Sequence, residues 1–298
     1  MIKKLLKKLA ASTAMIVLAA AALSVSAGAI VTWHTEQADT GRRYPEGLGY
    51  NALGNPGIAQ MDYYSDPYKA VYRYRTASGW VSETIGVASE APALAFDGSG
   101  QPAVIYVRYA DSTYYLISAR RTAANTWQET TVESVPRSQG YIDSQYSLAF
   151  NGSGNPCVSY IKTTSSPYSC TLYYAAYSGS TWQKQAVYSG NDTFYSNLTF
   201  NGSTPAIAFS AGSAGLKYAY LSGGSWTIQT VDASGSSYLR NRQSDITLGF
   251  GNGKPLICYN AQDMRSLKFA YYLNGSWITK TVEASTSSNN YTGDYATM

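Results

Sequence analysis

All six tryptophans of this 298-residue chain, Trp33, Trp80, Trp127, Trp182, Trp226 and Trp277, fall at the same place in one repeating unit. A unit that recurs every 20 to ~50 residues folds as a stack of like parts, because one copy cannot bury its apolar face alone. The clearest copies run from Ser147 to Ser189, Asn197 to Ser234 and Thr247 to Ser285. Each opens on a short apolar strand ending in Phe: Leu148-Ala149-Phe150, Leu198-Thr199-Phe200 and Leu248-Gly249-Phe250. A Gly-containing turn ending in Pro156, Pro205 or Pro255 leads to a second strand. After a variable loop comes a Tyr-rich strand, then a Gly/Ser/Asn turn, the Trp and a final strand. Two diverged copies begin at Leu94-Ala95-Phe96 and Leu48-Gly49-Tyr50.

The alternation has period two. Trp226, Ile228 and Thr230 share one face of their strand, and Thr227 and Gln229 share the other. No convincing helical period follows the first 29 residues, which disfavours a helical solenoid. Four short strands per unit predict an all-β fold, a β-propeller of four-stranded blades. The blades fall at about 47–88, 92–134, 146–189, 196–234 and 246–285. The repeated Pro is predicted to open the second strand, where its missing N–H costs least. Residues 32–38 read as a lone final strand and 294–298 as a lone first strand. Five whole repeats with two flanking strands fit a truncated six- or seven-bladed ring. The alternative is a five-bladed ring with two spare strands.

Residues 1–29 read as a secretory signal peptide. Lys3, Lys4, Lys7 and Lys8 precede an uncharged apolar run from Ala10 to Val25 and small residues at Ala27-Gly28-Ala29. Cleavage after Ala27 fits nearly as well as after Ala29. The propeller then occupies 30–298, outside the cytoplasm. The chain has 22 Lys and Arg against 18 Asp and Glu. Four of the lysines lie in the leader, so the rest balances at eighteen of each. A neutral surface has no global attraction for nucleic acid or anionic membranes. Nothing after residue 29 is long and apolar enough to span a bilayer. Cys157, Cys170 and Cys258 are an odd set. Cys157 and Cys170 open successive strands of one hairpin, at opposite ends, so no disulfide is expected and all three read as small core residues. They lack clustered partners for a metal, and no cofactor motif occurs.

The Gly179-Ser180-Thr181-Trp182 and Gly223-Gly224-Ser225-Trp226 turns, and more loosely Asn274-Gly275-Ser276-Trp277, resemble the Asp-box, or BNR, repeat of sialidase-like propellers. The Asp that names the box is replaced by Tyr177, Leu221 and Tyr272. In that family the box is a structural turn away from the active face, so the resemblance implies fold, not activity. Arg43-Tyr44-Pro45 loosely matches that family's first arginine motif, with Arg42 where it has an aromatic residue, and no Tyr–Glu pair can be assigned. A Ser-His-Asp mechanism would have to use His34, the single histidine.

Function is expected on the face that carries the second-to-third loops and the blade-to-blade loops, since these vary in length and content. The blade-to-blade loops carry Arg43 and Tyr44; Arg137, Tyr141 and Asp143; Tyr195; and Tyr238, Arg240, Arg242 and Asp245. The second-to-third loops add Tyr64, Asp66, Arg108, Tyr109, Asp111, Tyr168, Asp263 and Arg265. Tyrosine rings stack on the C–H faces of sugars, and Arg and Asp bond their hydroxyls. Tyr141, Tyr195 and Tyr238 are the candidates for stacking, and Arg240 and Arg242 for an acidic sugar group. Asp143 and Asp245 could serve glycosidic chemistry. The sequence therefore carries three functional readings: a secreted, non-catalytic carbohydrate-binding module, a sialidase-like glycosidase, and an adhesive propeller binding a protein partner.

Overall fold

The computed structural model describes residue 38 and residues 45–192, 194–234, 246–260 and 266–284. They form antiparallel strands in five sheets, each run as an up-and-down meander of four. Blade 1 holds β1 (Pro45–Tyr50), β2 (Pro56–Asp62), β3 (Lys69–Thr76) and β4 (Gly79–Val87). Blade 2 holds β5 (Ala93–Phe96), β6 (Pro102–Ala110), β7 (Thr113–Ala123) and β8 (Thr126–Pro136). Blade 3 begins with the short β9 (Gly140–Ile142), followed by β10 (Ser147–Phe150), β11 (Pro156–Ser165), β12 (Tyr168–Ser178) and β13 (Thr181–Gly190). Blade 4 holds β14 (Phe194–Asn201), β15 (Thr204–Ser210), β16 (Leu216–Ser222) and β17 (Ser225–Asp232). Blade 5 holds β18 (Ile246–Gly251), β19 (Lys254–Asn260), β20 (Ser266–Leu273) and β21 (Ser276–Ala284).

First strands touch in sequence, β1 to β5 to β10 to β14 to β18, so they line the inside of the array. Leu198 N–H donates to Ser147 Oγ at 3.1 Å and Leu248 N–H to Asn197 Oδ1 at 2.9 Å, tying inner strands of neighbouring blades. The second strands are the most deeply covered, with Pro102–Val107 of β6 and Pro205–Ser210 of β15 buried throughout. Fourth strands face outward and are polar on their exposed side. Proline opens β2, β6 and β11 and stands second in β15 and β19, at the strand edge as its chemistry requires. Asn274 and Gly275, between β20 and β21, both take positive φ, the geometry of a tight hairpin turn.

Two features depart from the sequence reading. Blade 3 gains β9, which pairs with the upper half of β11 and lengthens its inner edge. Residues 140–142 carry no alternation long enough to mark a strand. Gly140 permits the pairing, because a Cβ there would lie 1.9 Å from the Thr163 carbonyl oxygen. The cysteines are all free, with Cys157 and Cys170 buried but Cys258 only half-buried. Register sets Cys157 opposite Ala176 and Cys170 opposite Thr163, at the two ends of the hairpin.

Candidate functional site

In a meander the β1–β2 and β3–β4 turns share one end of the blade, and the β2–β3 loop and blade connections share the other. At this second end, three consecutive blades carry paired tyrosines. On blade 1, Tyr63 and Tyr68 meet edge to face with centroids 5.4 Å apart, and Tyr64 beside them is two-thirds exposed. Asp62 shapes that loop by accepting the Tyr64 N–H at 3.0 Å. On blade 2, Asp111 and Ser112 both take positive φ and make a tight hairpin. That turn brings Tyr109 and Tyr114 to 4.8 Å, tilted by 44°. Arg137 enters from the next connection: its N–H donates to Ser112 O at 2.9 Å, and its guanidinium lies 5.8 Å from the Tyr109 ring centre. The hydrogen bond from Arg137 pulls the Tyr109 hydroxyl below its ordinary pKa.

On blade 3, Tyr141 from β9 and Tyr168 from the start of β12 are both exposed. Cys170 Sγ lies 3.4 Å from the Tyr168 hydroxyl. That contact, then burial and Tyr141, push the Tyr168 pKa up. Arg137 and Tyr141 thus lie on the expected face. Tyr109 and Tyr168 lie there too, whereas Tyr63, Tyr68 and Tyr114 were not singled out from the sequence.

Other candidates lie elsewhere. Tyr195 is 4% exposed, held at φ 47° in the apolar core between blades 4 and 5, so no ligand can stack on its ring. Asp143 is half-buried and makes no ion pair among the described residues. Its N–H donates to Ile161 O at 3.0 Å, and burial pushes its carboxyl up despite bonds from the Ser144 and Gln145 N–H groups. Glu90, missed by the sequence reading, lies one residue beyond Ser89, the blade 2 counterpart of Asp143; the N–H groups of Ser89 and Glu90 are directed at Val107 O at 2.8 and 3.3 Å. Burial first, then the charge of Asp143, raise Glu90 as well. Tyr146 donates from its hydroxyl to Ala91 O and ties the two loops together. Arg43, Tyr44, Tyr238, Arg240, Arg242, Asp245, Asp263 and Arg265 lie outside the described residues.

A cavity of about 630 Å³ opens at the opposite, short-turn end of the inner strands. Phe96, Phe150 and Phe200 line it with Asp97 and Asn151. Asp97 binds Arg120 at 2.5 Å, and that guanidinium lies 5.9 Å from the Phe150 ring centre. The charges there are thus already matched within the protein. No group of three or more His, Cys, Asp or Glu gathers among the described residues as a metal site would require. No helix among them is long and apolar enough to cross a membrane.

No family model matches the chain, and no curated protein matches it. Solved structures do. The six-bladed propeller lectin of Aleuria aurantia aligns with a TM-score of 0.54 at 16% identity, over 83% of this chain and 81% of the lectin. The α-L-arabinanase of Penicillium chrysogenum, solved with arabinobiose, aligns at 0.55 and 13% identity over 80% of each. An N10 neuraminidase-like protein from a little yellow-shouldered bat influenza virus aligns at 0.52 and 10% identity, over 82% and 81%. At such identities the likeness is one of fold: the five sheets are blades of a β-propeller type.

Proposed function

We propose that this chain is a secreted, non-catalytic carbohydrate-binding β-propeller. The observation that carries the reading is the tyrosine pair repeated on the loop-side tips of blades 1, 2 and 3: Tyr63 with Tyr68, Tyr109 with Tyr114, and Tyr141 with Tyr168. Each pair offers a rigid aromatic edge at low entropic cost, suited to the C–H face of a sugar ring. Arg137 adds a guanidinium able to hold a carboxylate or a pair of hydroxyls beside Tyr109. The leader at residues 1–29 and the balanced charge of the rest support action outside the cytoplasm on neutral or acidic glycans. Lectins and glycosidases both occur on this fold, which is compatible with the reading without choosing between them.

A glycan array that includes fucosides, arabinosides and sialosides tests it. Single sites this shallow should bind in the micromolar to millimolar range, roughly −8 to −4 kcal/mol. Tyr109→Ala or Tyr168→Ala should weaken binding about tenfold, as loss of an aromatic anchor does. An array signal unchanged by both substitutions would reject the reading.

Glu90 and Asp143 favour one alternative, a glycoside hydrolase, since two neighbouring carboxyls, both pushed up by burial, are the kind of pair that glycosidic cleavage uses. Release of sugar from the same glycosides, lost in Glu90→Gln and in Asp143→Asn, would establish it over the binding role.

A further inference from the structure

At each described joint between blades, the indole N–H of a Trp donates to the residue three places beyond the Trp of the preceding blade. Trp127 reaches Glu83 at 3.1 Å, Trp182 reaches Thr130 at 3.2 Å, Trp226 reaches Gln185 at 3.2 Å and Trp277 reaches Gln229 at 2.9 Å. These donors are matched within the protein, and so are three arginines: Arg108, Arg120 and Arg121 meet the carboxylates of Glu129, Asp97 and Glu83. Arg137 is not. It is exposed and forms no ion pair among the described residues, although Asp111 stands in the adjacent hairpin turn. One guanidinium N–H is directed at the Tyr109 hydroxyl at 3.4 Å, and the rest of the fork has no other acceptor among the described residues.

Arg137 opens the connection from blade 2 to blade 3, and that connection is pinned to both tips. Arg137 N–H donates to Ser112 O on blade 2 at 2.9 Å, and Ser165 N–H on blade 3 donates to Gln139 O at 3.0 Å. Gln139 N–H closes a turn onto Pro136 O at 2.8 Å, and Gly140 and Tyr141 pair with Thr164 and Thr163. Only Ser138, Gln139 and Gly140 separate Arg137 from Tyr141. Their Cα atoms therefore lie at most ~14 Å apart, the reach of an extended chain of that length, and the turn shortens it. The tyrosines of blade 2, Arg137 and the tyrosines of blade 3 thus make one run of surface.

Charge is distributed unevenly along this run. The blade 3 end offers the hydroxyls of Tyr141 and Tyr168, while Lys162, beside Ile142 in the sheet, is directed to Glu133 at 3.9 Å. On the far side of Arg137, the blade 1 tip and the connection after it carry Asp62, Asp66 and Glu90. We propose, resting on the carbohydrate-binding reading above, that the tips of blades 2 and 3 form a single site for a short oligosaccharide in which a uronate adjoins a neutral sugar. The fork of Arg137 takes the carboxylate, and Tyr109 and Tyr114 take the C–H face of the same ring. The neutral sugar lies on Tyr141 and Tyr168. The acids of blade 1 repel the carboxylate from that side, which fixes the direction of the chain.

Calorimetric titration of the purified protein tests this with two probes, an alternating glucuronate–N-acetylglucosamine tetrasaccharide and a xylotriose bearing glucuronate. Each is compared with its methyl ester, which keeps the length and removes the charge. The acid should bind about fivefold tighter than the ester, the scale of one well-formed exposed ion pair. Salt at about 1 M should erase that preference. Arg137→Gln should bring acid and ester to the same affinity. Tyr168→Ala should weaken both about tenfold and leave their ratio unchanged. Both side chains are exposed, so the variants should melt with the natural protein. Free glucuronate should bind about tenfold more weakly than either probe, since it cannot reach both tips. Equal binding of acid and ester, or an acid preference kept in Arg137→Gln, would overturn the assignment of the carboxylate, while a loss in Tyr168→Ala would keep the carbohydrate-binding reading. Free glucuronate bound as tightly as the probes would overturn the single site. Silence of both probes on a protein that binds neutral glycans would overturn this ligand alone, and silence of every glycan would remove the reading with it.

Discussion

Glu83 shows how much one side chain carries in this fold. Its carboxylate is fully covered and accepts a forked pair from Arg121, at 2.9 and 2.6 Å, and the indole of Trp127 at 3.1 Å. Burial alone would raise its pKa, but the bonds from Arg121, the Asn125 N–H and Trp127 outweigh burial and hold it low. A carboxyl depressed in the folded state adds stability above its unfolded value, and that stability is lost as pH falls through the folded value. Glu83→Ala strands Arg121 against an apolar joint and should cost ~3–5 kcal/mol in urea unfolding at neutral pH. Asp232, bonded by Tyr259 at 2.6 Å and Lys268 at 3.1 Å, obeys the same sign. Burial opposes those bonds, which still hold its pKa at about 2. Asp143 has the opposite sign. Its raised carboxyl is charged at a cost at neutral pH, so Asp143→Asn should stabilise there, and the gain should vanish in acid once the natural residue is protonated. A gain that persisted in acid would show that charge is not the cause.

At the scale of elements, the strands were legible because alternation, Pro and Trp mark them in every copy. The joints were half legible: the Trp position was plain, but its acceptor changes from Glu83 to Thr130 to Gln185 and shows no single residue type. The tips were less so. Side-chain direction in a loop depends on local φ and on neighbouring loops, which no alternation records. Tyr195 is the instructive miss. It stands three residues before Leu198, as Gln145 stands before Leu148, and both are buried. Alignment on the leucines rather than on loop composition would have placed it inside. β9 was hidden for a different reason, since a three-residue strand is decided by its partner. Gly140→Ala should therefore displace β9, with strain of about 1–3 kcal/mol, and remove Tyr141 from the blade 3 tip. Glycan binding should fall at that blade while a Tyr109→Ala effect on blade 2 persists, measurable by titration of the two single variants and the double.

At the scale of the molecule, the proposed reading has a consequence: three tyrosine-bearing tips on one face would act together on a ligand that presents repeated sugars. Avidity of 10²–10⁴-fold is attainable without any new contact when the sites can be spanned. A polymeric glycan should thus bind far tighter than its monosaccharide, and the advantage should shrink stepwise as Tyr68, Tyr109 and Tyr168 are changed to Ala in turn. With charges balanced after residue 29, the affinity for neutral sugars should vary little with ionic strength.

The indole bond between blades always runs the same way, with each sheet giving a proton to the sheet before it and lending an oxygen to the sheet after it. A unit built this way carries both halves of its own joint. Duplicating one whole repeat in the gene would insert a sheet that fits the sheets on either side without a compensating change in them. Swapping two of the first four repeats would be nearly as mild, since Glu83, Thr130, Gln185 and Gln229 all accept, whereas Lys280 at that position in blade 5 only donates. Half a repeat would leave one donor or one acceptor buried and unmet. A lineage of such chains should therefore differ in length by whole multiples of the repeat, and ligand tips gained with each copy would come at no loss to the scaffold that holds them.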